Sequence, residues 1–349
     1  MSQSKLWAVE AARGVAALLV VLVHASSMLG APKYLGELPL GGIFKFAHAG
    51  VDFFFVLSGF IIYFVHKGDI GQPSKTRGYA LRRIIRIFPA YWCVLAIYGL
   101  MLWWSPTATR FEQQPSAILA ALLLLPHPDG AILGPAWSLS HELLFYLLFA
   151  VLLWHRRLGV AVLALWGGLT LLNQCVDLGI EAYWWDSFLF RVFNLHFFFG
   201  MLVAWLCSRN EHRAAGLAFT AGLLVFFGAG MVESFGPPLP NEWVPMHLAY
   251  ATGSALALYG LVGLEHQQRV KVPAAMVYLG QASYSVYLVH IPVILVWQQV
   301  LLKMPTVLHA PGALGFWSTV AVALIASFLF HQVVELPLGQ WTRRRVLRA

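Results

Sequence analysis

Residues 6–29 read LWAVEAARGVAALLVVLVHASSML, an apolar run of membrane-crossing length that carries both Arg13 and His24. Eleven residues at about 100° each make roughly three turns plus 20°, so the two share one helical face, about 16 Å apart along the axis. A charged group and an ionisable ring on one stripe of such a segment are costly. They ordinarily face a bundle interior or a water-filled cavity. A helix that only anchored the chain would have little use for them, so chemistry or transport within the bilayer is expected.

Composition extends this reading to the whole chain. Of 349 residues, 59% are hydrophobic and 11% charged, with a mean hydropathy of +0.71; soluble domains carry about 25% charged residues. Repeated apolar runs of about 20 residues predict an all-α, polytopic integral membrane protein. Ten spans are expected, at roughly 6–29, 43–66, 87–105, 135–154, 158–174, 187–207, 213–232, 245–264, 273–301 and 314–334. They make a single transmembrane domain with no appended soluble domain, because the sequence ends about fifteen residues past the last span. The run Ser116–Leu125 is too short to cross and lies between Pro115 and Pro126, which predicts a re-entrant or surface segment. The N-terminal MSQSKLWAVEAARG lacks an apolar core ending in a small-residue cleavage site, so the first span is expected to be retained. Cys93, Cys175 and Cys207 show no pairing or metal-ligand spacing, and neither a disulfide nor a metal is expected.

Charge tests the span count. With a cytoplasmic N-terminus, the cytoplasmic side holds Lys5; Lys67, Lys75, Arg77, Arg82, Arg83 and Arg86; Arg156 and Arg157; Arg209 and Arg213; Arg269 and Lys271; and Arg343, Arg344, Arg345 and Arg348. The other side holds Lys33, Lys45, Arg110, Arg191 and Lys303, seventeen cations against five. This is the positive-inside pattern, and an even number of spans places both termini in the cytoplasm. The net charge of +8 follows from that bias and calls for no nucleic-acid partner. Arg82, Arg83 and Arg86, in LRRIIRIFPAYW, exceed the baseline. If the helix begins before Pro89, they form an i,i+3/i,i+4 fork suited to a polyphosphate. A topology anchor on lipid headgroups is the alternative.

On this topology His24 lies about five residues from the outer end of its span, His48 and Asp52 about five and nine from theirs, and Glu142 about seven. His48 and Asp52, four apart, share a face. The expected picture is a cavity with an acid–base cluster in its outer half and, with Arg13 and the arginine fork, a cationic entrance on the cytoplasmic side. His24 is the candidate general base, given a carboxylate, Asp52 or Glu142, to steady the imidazolium that forms. A lone buried histidine bonded to a backbone carbonyl is the plainer reading, and the company of Arg13 and the carboxylates tips the balance toward the base. Glu142 sits in PAWSLSHELLFYLLF, where Trp137, Ser138, Ser140 and His141 make a polar entry to an apolar helix. Capping by Ser138, with Glu142 on the helix dipole, is the structural alternative. His290, in QASYSVYLVHIPV, shares a face with Tyr287 and Ser283, and Pro292 loosens the backbone beside it. His48, Ser138, Ser140, Tyr287 and His290 are the candidate substrate contacts, with a core hydrogen bond equally open for His290.

Weaker features complete the reading. Glu335 is expected near the last cytoplasmic helix end, and Arg191, Asn194 and His196 along an outer vestibule. Trp103, Trp104, Trp184 and Trp185 are expected in interfacial belts. No Walker loop, dinucleotide glycine pattern, HExxH or GxSxG motif appears.

Six segments in order, RGVAALLVVLVHAS (13–26), GVDFFFVLSGFII (50–62), RRIIRIFPAYW (82–92), WSLSHELLFYLL (137–148), SYSVYLVHIPV (283–293) and VVELPL (333–338), resemble the membrane acyltransferase-3 family of ten-helix integral membrane proteins. The resemblance covers nearly the whole chain. It implies transfer of an acyl group, often acetyl, from cytoplasmic acyl-CoA to a hydroxyl of a sugar, a surface or lipid-linked glycan or a glycosylated metabolite, in the bacterial inner membrane. The family's arginine-to-histidine motif maps to Arg13 and His24, its donor-associated arginines to Arg83 and Arg86, and its WSLS-x-E acid to Glu142. The family often continues into a soluble SGNH-type hydrolase domain; without one, this chain is expected to complete transfer itself or to hand the acyl group to another protein.

On that reading acyl-CoA is a donor substrate and no cofactor is bound. Its phosphates would rest on Arg82, Arg83 and Arg86, Arg13 would guide the donor arm or steady developing charge, and His24 would take the acceptor's proton. Direct attack and a covalent relay both stand. Membrane lipids are the remaining partners. A transporter or flippase of a glycan or acylated molecule is the rival class, and a noncatalytic scaffold the second; release of free CoA on turnover separates an enzyme from both.

Overall fold

The computed structural model describes residues 6–103, 111–176, 188–209, 214–240 and 243–346. Trp104, Trp184 and Trp185, with Lys5, Arg110, Arg213 and Arg348, lie outside the described residues. Among the described residues the regular structure is all helical. The helices are α1 (Trp7–Leu29), α2 (Gly50–His66), α3 (Pro73–Trp103), α4 (Pro115–Leu123), α5 (Ala136–Trp154), α6 (Arg156–Cys175), α7 (Phe193–Cys207), α8 (Ala215–Phe235), α9 (Val244–His266), α10 (Ala274–Gln281), α11 (Ser283–Leu302), α12 (Leu314–Phe330) and α13 (Leu336–Val346). Among the described residues nine helical stretches are long and apolar enough to cross a bilayer, and α7 adds a shorter apolar helix of 15 residues. The chain is a multi-pass membrane protein.

Three boundaries differ from expectation for physical reasons. Helix α3 starts at Pro73, not near residue 87, and carries Arg82, Arg83 and Arg86 on its polar first half. Hydropathy registers only the apolar half, while Pro73 at the first helical position costs no hydrogen bond. The span expected at 273–301 is two helices that meet at Ala282. Helix α12 does not stop near residue 334. It continues through a π-turn, His331–Glu335, into α13, so Glu335 lies inside a helix and not at its end. The segment expected to be too short to cross is the nine-residue α4, closed by Leu124 in the left-handed region at φ +54°.

The chain forms two compact units, residues 1–64 with 196–328, and residues 65–195 with 329–349. In the first, the exposed N–H groups at the start of α1 are satisfied by the Glu265 carboxylate of α9, which accepts from Trp7 N at 2.6 Å and Ala8 N at 3.1 Å. An acid on those donors also suits the positive end of the helix dipole. The inner face of α1 (Ala17, Val21, Ala25, Leu29) packs with Val286 and Ile294 of α11 and Phe316 and Val320 of α12. Helices α2 and α7 meet backbone to backbone. A Cβ at Gly200 would lie 1.8 Å from the Val56 carbonyl oxygen, and one at Gly59 would lie 2.1 Å from that of Phe197. This close crossing of small residues is how membrane helices gain packing where no hydrophobic drive separates them from lipid. It brings the first turn of α2 beside the first turn of α7.

In the second unit α5 and α6 form a hairpin through Trp154–Arg156. The aromatic rings of Tyr79 on α3 and Tyr146 and Phe149 on α5 hold those two helices together, with Tyr79 ring centroids 6.4 and 5.9 Å from the other two. Helix α13 lies along α3.

Gly200→Ala is expected to destabilise the protein by about 1–3 kcal/mol through backbone overlap. Gly228→Ala, where a Cβ meets nothing within 4 Å, is expected to be neutral or mildly stabilising. Thermal unfolding in detergent checks the pair, and equal midpoints would contradict the α2–α7 contact.

Candidate functional site

Two histidines on facing helices of the first unit form a bonded pair. His24 of α1 is half-buried, and its Nδ1–H donates to the Val20 carbonyl one turn back at 2.8 Å. His290 of α11 is fully buried, and its Nδ1–H donates to the Val286 carbonyl at 3.0 Å. A carbonyl can only accept, so each ring carries its proton on Nδ1 and a lone pair on Nε2. The His290 lone pair then points at His24 Nδ1, 3.2 Å away, and shares its proton, with the ring centroids 5.0 Å apart. His24 Nε2 has no hydrogen-bond partner among the described residues. This is the arrangement of a base: one nitrogen held as a donor, the other left to accept. Tyr287, one turn before His290, sets its ring 6.0 Å from the His290 ring and 5.8 Å from Phe54. Arg13, about three turns below on α1, is ion-paired with Glu10 at 3.2 Å, which offsets part of the cost of placing it in a span.

A second cluster lies at the first turns of α2, α7 and α9 and the end of α8. Asp52 is fully buried, and its Oδ1 accepts from His196 Nε2–H and His247 Nδ1–H, both at 2.8 Å. Its Oδ2 has no hydrogen bond and faces His48 Nδ1 at 3.9 Å. His48 in turn donates through Nε2 to Glu233 at 2.6 Å, and the same carboxylate accepts from the Tyr250 hydroxyl. His48 lies within Coulombic range of His24. Asp52, His196 and His247 also offer the donor atoms of a metal site, all within 4.8 Å of one another. The 2.8 Å separations are those of N–H···O bonds, with a proton on each bonded nitrogen and Asp52 Oδ1 as their common acceptor.

The second unit carries the arginines and Glu142. Arg82 and Arg86, four apart on α3, line a cleft of about 370 Å³ together with Ile85, Pro89 and Ala90. The opposite wall is the face of α13 that bears Leu336, Gly339, Gln340 and Arg343, with Glu335 at its head. Arg83 turns away from this cleft, with its guanidinium 5.8 and 5.6 Å from the centres of the Tyr79 and Tyr146 rings. Tyr146 donates its hydroxyl to Glu142. The fork of three is thus two plus one, since adjacent helical residues point about 100° apart.

Several expectations need correcting. The Asp52 carboxylate is hydrogen-bonded to His196 and His247 and not to His24, whose ring bonds go to the Val20 carbonyl and to His290. Ser138 is not a cap. Helix α5 begins at Ala136, and the Ser138 and Ser140 hydroxyls donate back to the Pro135 and Ala136 carbonyls at 3.2 and 3.4 Å. Asn194 and His196 line no vestibule, since both are fully buried. Asn194 accepts from His141 Nδ1–H at 2.9 Å and donates to the Phe188 and Leu189 carbonyls, while His196 serves Asp52. Sequence reasoning missed Glu233, Tyr250 and His247 altogether. The signal was present, for Glu233 and His247 sit at the ends of otherwise apolar spans, at the same outer depth already used to group His24, His48 and Asp52.

Comparison with known proteins gives the chemistry its class. The profile of the acyltransferase domain matches residues 6–332. The chain is 26% identical to the acyltransferase MdmB of Streptomyces mycarofaciens, with 95% of this chain and 91% of that protein aligned. It is 27% identical to BcsY of Komagataeibacter xylinus, which carries the name of a membrane-bound transacylase, over 94% of this chain and 81% of that one. It is 29% identical to the exopolysaccharide production protein ExoZ of Rhizobium meliloti, over 72% and 77%. No solved structure matches. The chain belongs to the acyltransferase-3 family, and it is a membrane acyltransferase of the non-aminoacyl class.

Asp52→Ala strands two buried imidazole donors and is expected to cost about 3–5 kcal/mol, as removal of one partner from a buried ionic network does. Asp52→Asn keeps an acceptor oxygen and should cost less. An Asp52→Ala protein with the wild-type thermal midpoint in detergent would refute the network.

Proposed function

We propose that this acyltransferase moves an acyl group, acetyl in the simplest case, from cytoplasmic acyl-CoA to a hydroxyl of a sugar or glycan, and that it resides in a bacterial inner membrane with both termini cytoplasmic. The reading is carried by His24, an imidazole with Nδ1–H fixed by the Val20 carbonyl and by His290, and with Nε2 left as acceptor. The exopolysaccharide role in the name of ExoZ supports a glycan acceptor, and the cationic cleft supports a phosphorylated donor.

In the reaction the acceptor hydroxyl gives its proton to His24 Nε2 as its oxygen attacks the thioester carbonyl. The carbonyl–sulfur bond then breaks, the acceptor ester forms, and the CoA thiolate leaves. It takes the proton from the imidazolium, which restores His24 and releases CoA as the thiol. His290 is a positioning residue: its Nε2 lone pair favours the charged ring by accepting from His24 Nδ1–H, the part that a carboxylate plays elsewhere. Arg82 and Arg86 hold the donor's phosphates as charge-assisted pairs. Tyr287 and His48 border the acceptor, with Glu233 setting the His48 ring.

Purified protein in nanodiscs, given acetyl-CoA and an acceptor glycan, is expected to release free CoA and yield an acetylated glycan by mass spectrometry. His24→Ala is expected to lower kcat about 100-fold or more at normal protein levels, the scale of a lost general base. Export of unmodified glycan without CoA release would favour the transporter class. Wild-type turnover by His24→Ala would refute the base.

His290→Phe removes the Nε2 acceptor of His24 Nδ1–H but keeps an aromatic ring in the core. It is expected to lower kcat by about tenfold with little change in the KM for acyl-CoA, and His290→Gln to recover part of the loss. Equal effects on kcat and KM for both variants would make His290 a packing residue only.

A further inference from the structure

The cleft between α3 and α13 has features that a bare phosphate or a topology anchor does not require. On α13, Leu336, Gly339, Gln340 and Arg343 fall at i, i+3, i+4 and i+7, a single helical face, and it opposes the face of α3 that bears Arg82 and Arg86. The π-turn at His331–Glu335 adds a residue to the helical count just before this face and so sets its direction. Arg343 belongs to a run of three arginines, but the run is divided. Arg345 lies over the Trp341 ring, 4.6 Å from its centre, while Arg343 lines the cleft. Neither Arg82 nor Arg343 makes an ion pair among the described residues.

Gly339 keeps the space open, since a Cβ there would meet nothing within 4 Å. Glu335 is an acid among cations, held by His331 Nδ1 at 2.7 Å. A carboxylate repels a bare phosphate but accepts hydrogen bonds from a ribose hydroxyl or an exocyclic amine, as the Gln340 carboxamide also does. Ile85, Pro89 and Leu336 supply apolar surface for a base. At about 370 Å³ the cleft falls within the range of about 300–1,000 Å³ typical of small-molecule sites.

We infer that α13 completes this site: beside the phosphates that the reading above places on Arg82 and Arg86, Arg343 binds phosphate, and Glu335, Gln340 and the space left by Gly339 hold a nucleoside. Arg343 is thus a donor-binding residue contributed by the C-terminal helix. The identification of this nucleotide with the end of the acyl donor rests on the acyl-CoA reading above.

The test is direct binding by calorimetry, with full-length protein in phosphatidylcholine nanodiscs and CoA and adenosine 3′,5′-bisphosphate as probes. Wild type is expected to bind both competitively. Arg343→Ala and Gly339→Leu are each expected to weaken binding tenfold or more at an unchanged thermal midpoint, and Arg345→Ala to bind as wild type. Undiminished binding in both Arg343→Ala and Gly339→Leu would overturn the proposal. Displacement of CoA by phosphatidylglycerol nanodiscs but not by the nucleotide would overturn it in favour of a lipid-headgroup site. Failure of wild type to bind either nucleotide would overturn it outright. Nucleotide binding without CoA release on turnover would support the cleft while removing acyl-CoA as the donor.

Discussion

An ionisable side chain inside hydrocarbon persists only where protein supplies the partners that water would have given, and this constraint orders the first unit. Each acid at the ends of its apolar helices has a named donor. Asp52 is bonded by His196 and His247, and Glu233 by His48 and Tyr250. Each ring nitrogen that faces a carbonyl is a donor to it, as in His24 with Val20 and His290 with Val286. Within this bonded set two acceptors lack a donor among the described residues, Asp52 Oδ2, which is fully buried, and His24 Nε2, on a half-buried ring. The network holds the facing helices together, and on the proposed reading the unbonded His24 nitrogen takes the acceptor's proton.

The same constraint explains which parts of the site were legible in the sequence. His24 and Arg13 share a helix, so the 3.6-residue period alone places them on one face. The partners of Asp52 lie 144 and 195 residues away, and that of His48 lies 185 residues away. The order of spans around a bundle leaves no trace in local periodicity. Residue type alone suggests a carboxylate beside His24, and the structure puts a second imidazole there. Depth is the usable clue: His247 in the first turn of its helix and Glu233 in the last turn of its own fall on the same side of the span pattern as His48 and Asp52.

Helix boundaries failed where polarity and secondary structure part company. The first half of α3 is helical and charged, so a hydropathy reading begins the span fourteen residues late. Glu335 reads as terminal in the sequence because apolar residues thin out there, whereas the backbone runs on through a π-turn into a basic helix. That continuation gives the arginine cleft its second wall. The arginine fork was readable as a cluster but not as two functions. Arg82 and Arg86 face the cleft, and Arg83 rests on the Tyr79 and Tyr146 rings beside the tyrosine that holds Glu142.

The central claim is a tautomer: His24 carries its proton on Nδ1 and offers Nε2 to the acceptor. Nitrogen-15 NMR of histidine-labelled protein in lipid, with His24→Ala used to assign the signal by difference, reads it directly. The account predicts a protonated Nδ1 and an unprotonated Nε2 for His24 in the resting enzyme. A proton on Nε2, with Nδ1 bare, would leave the Val20 carbonyl without its donor and contradict the account.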